Sequence, residues 1–423
     1  MFGAWIHHGD NRKADGTFAR KLNITTVLRE RPEFNEYEWK IASEIGTGDA
    51  FKTAALLARF RESNGKQKDY YAYGHISMYF VPYISWVLKH AIEHKTKCLY
   101  FISRDGYQLK RIADRIIEKK NLPIRTKYIY GSRRAWRIPS LITELDKEFF
   151  SKFGNFVNVK SYDKMLNALN MEENDFQRIF PDLAYLKDVG EITKEIRESL
   201  IITFSNSEPY RQYILDKSAR DREIVLEYLR QEINFDERFS FVEYWGRGYT
   251  QDCTARLLEA ACKEKCPVPF YYMRSIYSSE ENRIRYNFTT ASNSLIFVEA
   301  VFANIPYKSV EGYQRGENGK ILPELEPADC DMELFHAMEQ RLLQFVDDFY
   351  GLGLEDTDNL EKMLQKISVE YFEEHQGDEV FTRCLAPLMD SYTMYDAKRE
   401  YAPAFTDEMA DGLIRENPKS DYT

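Results

Sequence analysis

Four apolar runs in the middle of the chain, three of which stop at a loop of Gly, Arg, Asp and hydroxyl residues, restrict its possible folds most. CLYFI (98–102) ends in SRDG and leads into YQLKRIADRIIEKK, whose Leu109, Ile112, Ile116 and Ile117 share a helical face. TKYIY (126–130) ends in GSRRAWRIPS, and RFSFVEYW (238–245) ends in GRGYT before the helical QDCTARLLEAACKEK. VPFYYM (268–273) closes the series. Short strands alternating with amphipathic helices predict an α/β unit with a Rossmann-like, mostly parallel sheet. Right-handed crossovers put every strand-to-helix loop on one edge, where open α/β sheets form their crevices.

The residues in those loops suit an anion. Gly131, Gly246 and Gly248 let backbone N–H groups approach, Ser132 and Thr250 add hydroxyls, and Arg104, Arg133, Arg134 and Arg247 offer planar forks to a phosphate or carboxylate. Asp105 and Glu243 add carboxylates at the same edge. They are the candidate catalytic pair, as a general base or a metal holder. The alternatives are that Asp105 caps its helix and that the carboxylates pair the arginines. GRGYT is neither a P-loop nor a dinucleotide fingerprint.

Around this sheet, 29–68 is polar and reads as a helical connector. The segment 69–94 is apolar nearly all round and predicts a buried helix bent at Pro82. Residues of about 141–234 read as a helical insertion, Ser292–Asn304 as a further helix, and Tyr307–Glu326 as a hairpin turning at GENG. From 327 to 423 the pattern is helical and acidic, with a loose tail. The expected domains are therefore 1–28, a connector 29–68, an α/β module 69–326 with its insertion, and a helical region 327–423.

A net charge of −10 gives no basis for general nucleic-acid binding. The six cysteines form no CxxC pair, which argues against zinc and a disulfide framework. No signal-peptide core is visible, and no run approaches the ~20 apolar residues of a spanning helix, so a cytoplasmic protein without a transmembrane segment is expected.

At the start of the chain, an apolar run (2–8) stops at Gly9-Asp10, a helical stretch follows Asp15, and ITTVL is a second run. Strand, loop, helix and strand make a βαβ unit with a carboxylate at the end of its first strand. GDNRKAD resembles the last acidic motif of the haloacid-dehalogenase-like (HAD) hydrolases. That resemblance implies that Asp10 helps hold magnesium, with Asp15 supporting the same site, when the HAD domain is complete. Only nine residues precede Asp10, too few for the superfamily's aspartate nucleophile, so 1–28 is expected to be a remnant of that domain and to lack its phosphatase chemistry.

LYFISRDGYQLKRI, YIYGSRRAWRIPS, FVEYWGRGYTQ and SLIFVEAVFANIPYKSVEGY resemble a module that follows HAD-like domains in proteins of bacterial capsule and surface-polysaccharide clusters. The likeness spans about 70–326 and departs at Glu243, where the pattern has Asp, and at Tyr244-Trp245-Gly246. It implies a HAD-like hydrolase fragment in surface-polysaccharide synthesis, whose module binds a phosphorylated sugar, nucleotide sugar or similar anion. Two other readings stay open: a non-catalytic module partnering glycosyltransferases, and a transferase activity of the module itself.

Overall fold

The computed structural model describes residues 5–28, 33–64, 66–146, 149–150, 156, 159–246, 248–275, 283–289, 307–327, 332–354 and 357–375. The chain divides into two compact units, one of residues 1–82 and 341–373, the other of 83–340 and 374–423. The first division falls inside the Ser77–Glu93 helix, so residues 69–82 group with the first unit and not with the sheet.

In the first unit, β1 (Ile6–Gly9) and β2 (Thr25–Leu28) pair in parallel, joined by the helical turns Arg12–Phe18 and Ala19–Lys21. The expected strand–helix–strand order is present, and among the described residues the two strands pair only with each other. The stretch read as a connector contains two packed helices, Glu36–Ile45 and Gly48–Asn64, which bury Tyr37, Ile41, Ala54, Leu57 and Phe60. Alanines supply much of that buried face. They pack closely but add little hydropathy contrast, which is why the stretch reads as polar. Glu38, fully buried, accepts from Arg61 Nε and Nη2 at 2.9 Å each, from Tyr70 Oη at 2.7 Å and from the Asn35 N–H at 2.9 Å. Asn35 returns a bond to the Glu38 N–H, completing a capping box.

The second unit is mixed α/β around a five-stranded parallel sheet: β3 (Cys98–Ile102), β4 (Arg125–Ile129), β5 (Phe239–Gly246), β6 (Phe270–Ser275) and β7 (Arg285–Asn287), in the order β4-β3-β5-β6-β7. The chain runs outward from β3 to β4, then crosses back to place β5 on the other side of β3. This reversal is where doubly wound sheets open a crevice. One face carries Tyr100, Ile102, Phe241, Phe270 and Tyr272 into a core shared with the Tyr249–Cys262 helix. The expected helical insertion is present, and its helices, from Tyr162–Leu169 to Lys194–Ser205, gather a core of their own around Phe176, Phe204 and Tyr210. The long Glu208–Glu232 helix serves both cores, with Ile214 in the insertion and Val225, Tyr228 and Leu229 against the sheet. The hairpin forms as expected, from β8 (Tyr307–Arg315) and β9 (Ile321–Pro327). The helix expected at 292–304 and the end of the chain beyond 375 lie outside the described residues.

Candidate functional site

The loops after β3, β4 and β5 all leave the C-terminal edge of the sheet, from three adjacent strands. Arg104 turns the chain into the Gly106–Lys120 helix with a φ of 48°. That left-handed conformation costs a non-glycine residue about 1–3 kcal/mol, a cost often found at functional turns. Asp105 occupies the N-cap of the helix, yet its carboxylate caps no backbone N–H; Arg104 Nε lies 3.5 Å from its Oδ1. The capping alternative left open by the sequence is therefore not realised.

Ser103, absent from the expected site, ties two loops together. Its Oγ donates to the Gly131 carbonyl at 2.7 Å and accepts from the Gly131 N–H at 2.9 Å. The hairpin pins the same loop from the other side. Ser132 Oγ donates to the Val310 carbonyl at 2.6 Å, Tyr313 Oη to the Tyr130 carbonyl at 2.7 Å, and Trp136 Nε1 to Tyr313 Oη at 2.7 Å. Ser132 Oγ also accepts from the Ala135 N–H at 3.0 Å, so its hydroxyl is committed to the loop, and Arg134 is paired with Glu311 at 2.7 Å. Arg133 is exposed and has no ion pair among the described residues, which leaves it open to a ligand. A Cβ on Gly131 would fall 2.0 Å from Cζ2 of the fully buried Trp136. Gly131→Ala is thus expected to lower stability by about 1–3 kcal/mol through overpacking, read as a drop in urea midpoint; an unchanged midpoint would show that the ring shifts freely.

Glu243 is the anomaly of the sheet. In register, Phe241 pairs with Phe270 and Glu243 with Tyr272, so the carboxyl ends an otherwise apolar row. Its Oε2 and the Tyr272 hydroxyl are both buried without a hydrogen-bond partner, while Tyr83 Oη donates to the Glu243 carbonyl at 2.7 Å. Burial, and next the Asp105 charge, push the Glu243 carboxyl up to about 8; the Arg133 guanidinium and the Thr250 and Tyr272 hydroxyls pull the other way. The carboxyl therefore keeps its proton near neutral pH. Beyond it, Gly248 adopts a φ of 81°, and a Cβ there would meet Arg285 Nη2 at 2.8 Å. Arg285 is held beneath the turn by Gln251 Oε1 at 2.7 Å and Asp252 Oδ1 at 3.3 Å. Gly248 opens the 14-residue Tyr249–Cys262 helix, which, like the 15-residue Gly106–Lys120 helix, begins without a side-chain cap. Asp105 thus stands at one uncapped helix N-terminus, Glu243 on the strand that leads to the other, and Arg133 and Asp105 both act electrostatically on Glu243, an arrangement able to hold an anion and move a proton. Arg247 lies outside the described residues.

Asp10 and Asp15 belong to the other unit. Asp15 Oδ1 lies 2.9 Å from His7 Nε2, and Oδ2 accepts from the Asp10 and Asn11 N–H groups at 3.1 and 2.9 Å. These bonds hold the Asp15 carboxyl below its usual range. Asp15 is thereby committed to the turn. Among the described residues no cluster of three His, Cys, Asp or Glu forms a metal cradle.

A cleft of about 470 Å³ lies at the opposite edge of the sheet, lined by Cys98, Arg125, Lys127, Glu232 and Glu237 among others. Its cations are already paired, Arg125 with Glu237 and Lys127 with Glu232. The C-terminal edge, with its unpartnered polar atoms and open helix ends, has the stronger claim to function. No family model matches the chain, and the curated proteins compared with it yield no match.

The sequence picked out the three loops but missed Tyr272, Tyr83 and Ser103. The strand VPFYYM carries Tyr272 in phase with Phe270, a pattern that reads as core. Among the described residues no helix is long and apolar enough to cross a membrane.

Proposed function

We propose that the parallel-sheet unit binds a phosphorylated sugar, nucleotide sugar or similar anion at the strand-order reversal, in bacterial surface-polysaccharide synthesis. The observation that carries this reading is the pair of uncapped helix N-termini beside an unpaired, exposed Arg133. The phosphate takes the helix N–H groups and the Arg133 fork, while Asp105 and Glu243 are left for a hydroxyl or a proton of the ligand. The polysaccharide context rests on the resemblance of the three loop motifs. A separate resemblance, that of GDNRKAD to the last acidic HAD motif, supports reading residues 1–28, with their parallel strands, as HAD-like.

A second reading, a transferase activity of the module itself, draws support from Glu243. A carboxyl that stays protonated near neutral pH beside a second carboxylate is suited to acid–base work. A thermal-shift series with glucose 1-phosphate and UDP-glucose tests binding. Both ligands are expected to raise the melting temperature, and Arg133→Ala to weaken binding roughly tenfold to a hundredfold, the range for one charge-assisted hydrogen-bond partner. No shift with either ligand, or an affinity indifferent to Arg133, would overturn the reading.

A further inference from the structure

Glu243 presents a problem that the anion site does not solve. Among the described residues no salt bridge reaches it, and the nearest charge raising its energy is another carboxylate, Asp105. Its Oε2 has no hydrogen-bond partner, and neither has the hydroxyl of Tyr272, a residue with no exposed surface. The two side chains converge: measured from the Cβ position that Gly246 lacks, Tyr272 Cε1 is 3.4 Å away and Glu243 Oε2 3.5 Å. A buried carboxyl oxygen and a tyrosine ring edge lie over the same glycine, and neither the Glu243 Oε2 nor the Tyr272 hydroxyl has a partner within hydrogen-bond distance, which marks a place where a further group is needed. Asp105 has its carboxylate free of the capping bond that its position would otherwise supply. Thr250 sets its hydroxyl beside Glu243 at the start of the next helix. The donors are all hard oxygens, with no nitrogen or sulfur among them.

We propose that Asp105, Glu243 and the Thr250 hydroxyl hold a divalent cation of the magnesium or manganese kind, which bridges the protein to the phosphate of its ligand. The proposal rests on the reading that an anion occupies the strand-order reversal. Such cations take one or two carboxylates from a protein and complete an octahedron with water and phosphate oxygens. The cation adds to the counter-charge that the Arg133 guanidinium gives Glu243, and the Tyr272 hydroxyl donates to the carboxylate once Glu243 is ionised.

The full-length chain, stripped with EDTA, is titrated with Mn²⁺ and followed by loss of the free-ion electron paramagnetic resonance signal, with and without inorganic pyrophosphate. Calorimetry measures pyrophosphate binding in parallel. One Mn²⁺ per chain is expected, bound at least tenfold more tightly with pyrophosphate present after subtraction of the Mn²⁺–pyrophosphate complex measured without protein. Glu243→Gln and Asp105→Asn, each nearly isosteric, are expected to weaken Mn²⁺ at least tenfold both with and without pyrophosphate, and Arg133→Ala is expected to weaken pyrophosphate at least tenfold. Pyrophosphate binding that ignores Mn²⁺, or Mn²⁺ binding that ignores both carboxylate variants, overturns the cation site and leaves the anion reading standing. Mn²⁺ binding that depends on both carboxylates but draws no pyrophosphate supports the cation site and counts against the anion reading.

Discussion

Glu38→Ala is expected to destabilise the unit that contains it by about 3–5 kcal/mol, the cost of breaking one side of a buried ion pair. The carboxylate takes four hydrogen bonds, two of them from Arg61, and has no exposed surface. Alanine strands the Arg61 charge, the Tyr70 hydroxyl and the Asn35 N–H, and it dissolves half of a capping box. Urea unfolding of the wild type, Glu38→Ala, Arg61→Ala and the double variant separates the terms. The double variant is expected to be less damaged than the sum of the two single changes, because no lone charge remains. A loss below about 1 kcal/mol for Glu38→Ala would mean that solvent reaches the pair, as it does at a surface bridge.

The second large effect concerns pH. Because Glu243 is raised to about 8 in the folded chain, the native state holds a proton that the unfolded chain releases near its ordinary value. The sign follows directly. This contribution to stability is fully present below about pH 4.5 and is lost as pH rises through about 8, with a slope of up to about 1.4 kcal/mol per pH unit between them. Glu243→Gln removes the titration. In EDTA-containing buffer the variant is expected to match or exceed wild-type stability at pH 8 and above, and the gap between the two is expected to close toward pH 5. Parallel stability curves for the two proteins across that range would sink the assignment.

Much of the site was legible because its ingredients are local. A run such as CLYFI is apolar enough to be a buried strand, and the SRDG that follows can only be its loop. Once three such strands are parallel, their loops must share an edge, and adjacent strands bring Asp105, Arg133 and Glu243 together. What was not legible depends on partners distant in sequence. The strand Arg285–Asn287 is three polar-leaning residues long and exists because β6 offers it an edge. Glu38 sits in a stretch that reads as solvated, and its burial is decided by Arg61 and Tyr70. The division near Pro82 falls inside a helix, where periodicity gives no sign of a boundary. Ser132 was expected to serve the ligand; its hydroxyl instead meets Val310, 178 residues away.

That last bond bears on the order of assembly. Every strand of the parallel sheet precedes in the chain the hairpin that steadies the loop after β4. Until Val310 and Tyr313 arrive, Ser132 and Trp136 lack the partners that fix Arg133 against the reversal. Closing so long a segment costs only slightly more entropy than closing a shorter one, but it slows the search for the contact. The strands of the sheet can therefore pair while the loop after β4 is still unfinished, because every one of them precedes the hairpin in the chain.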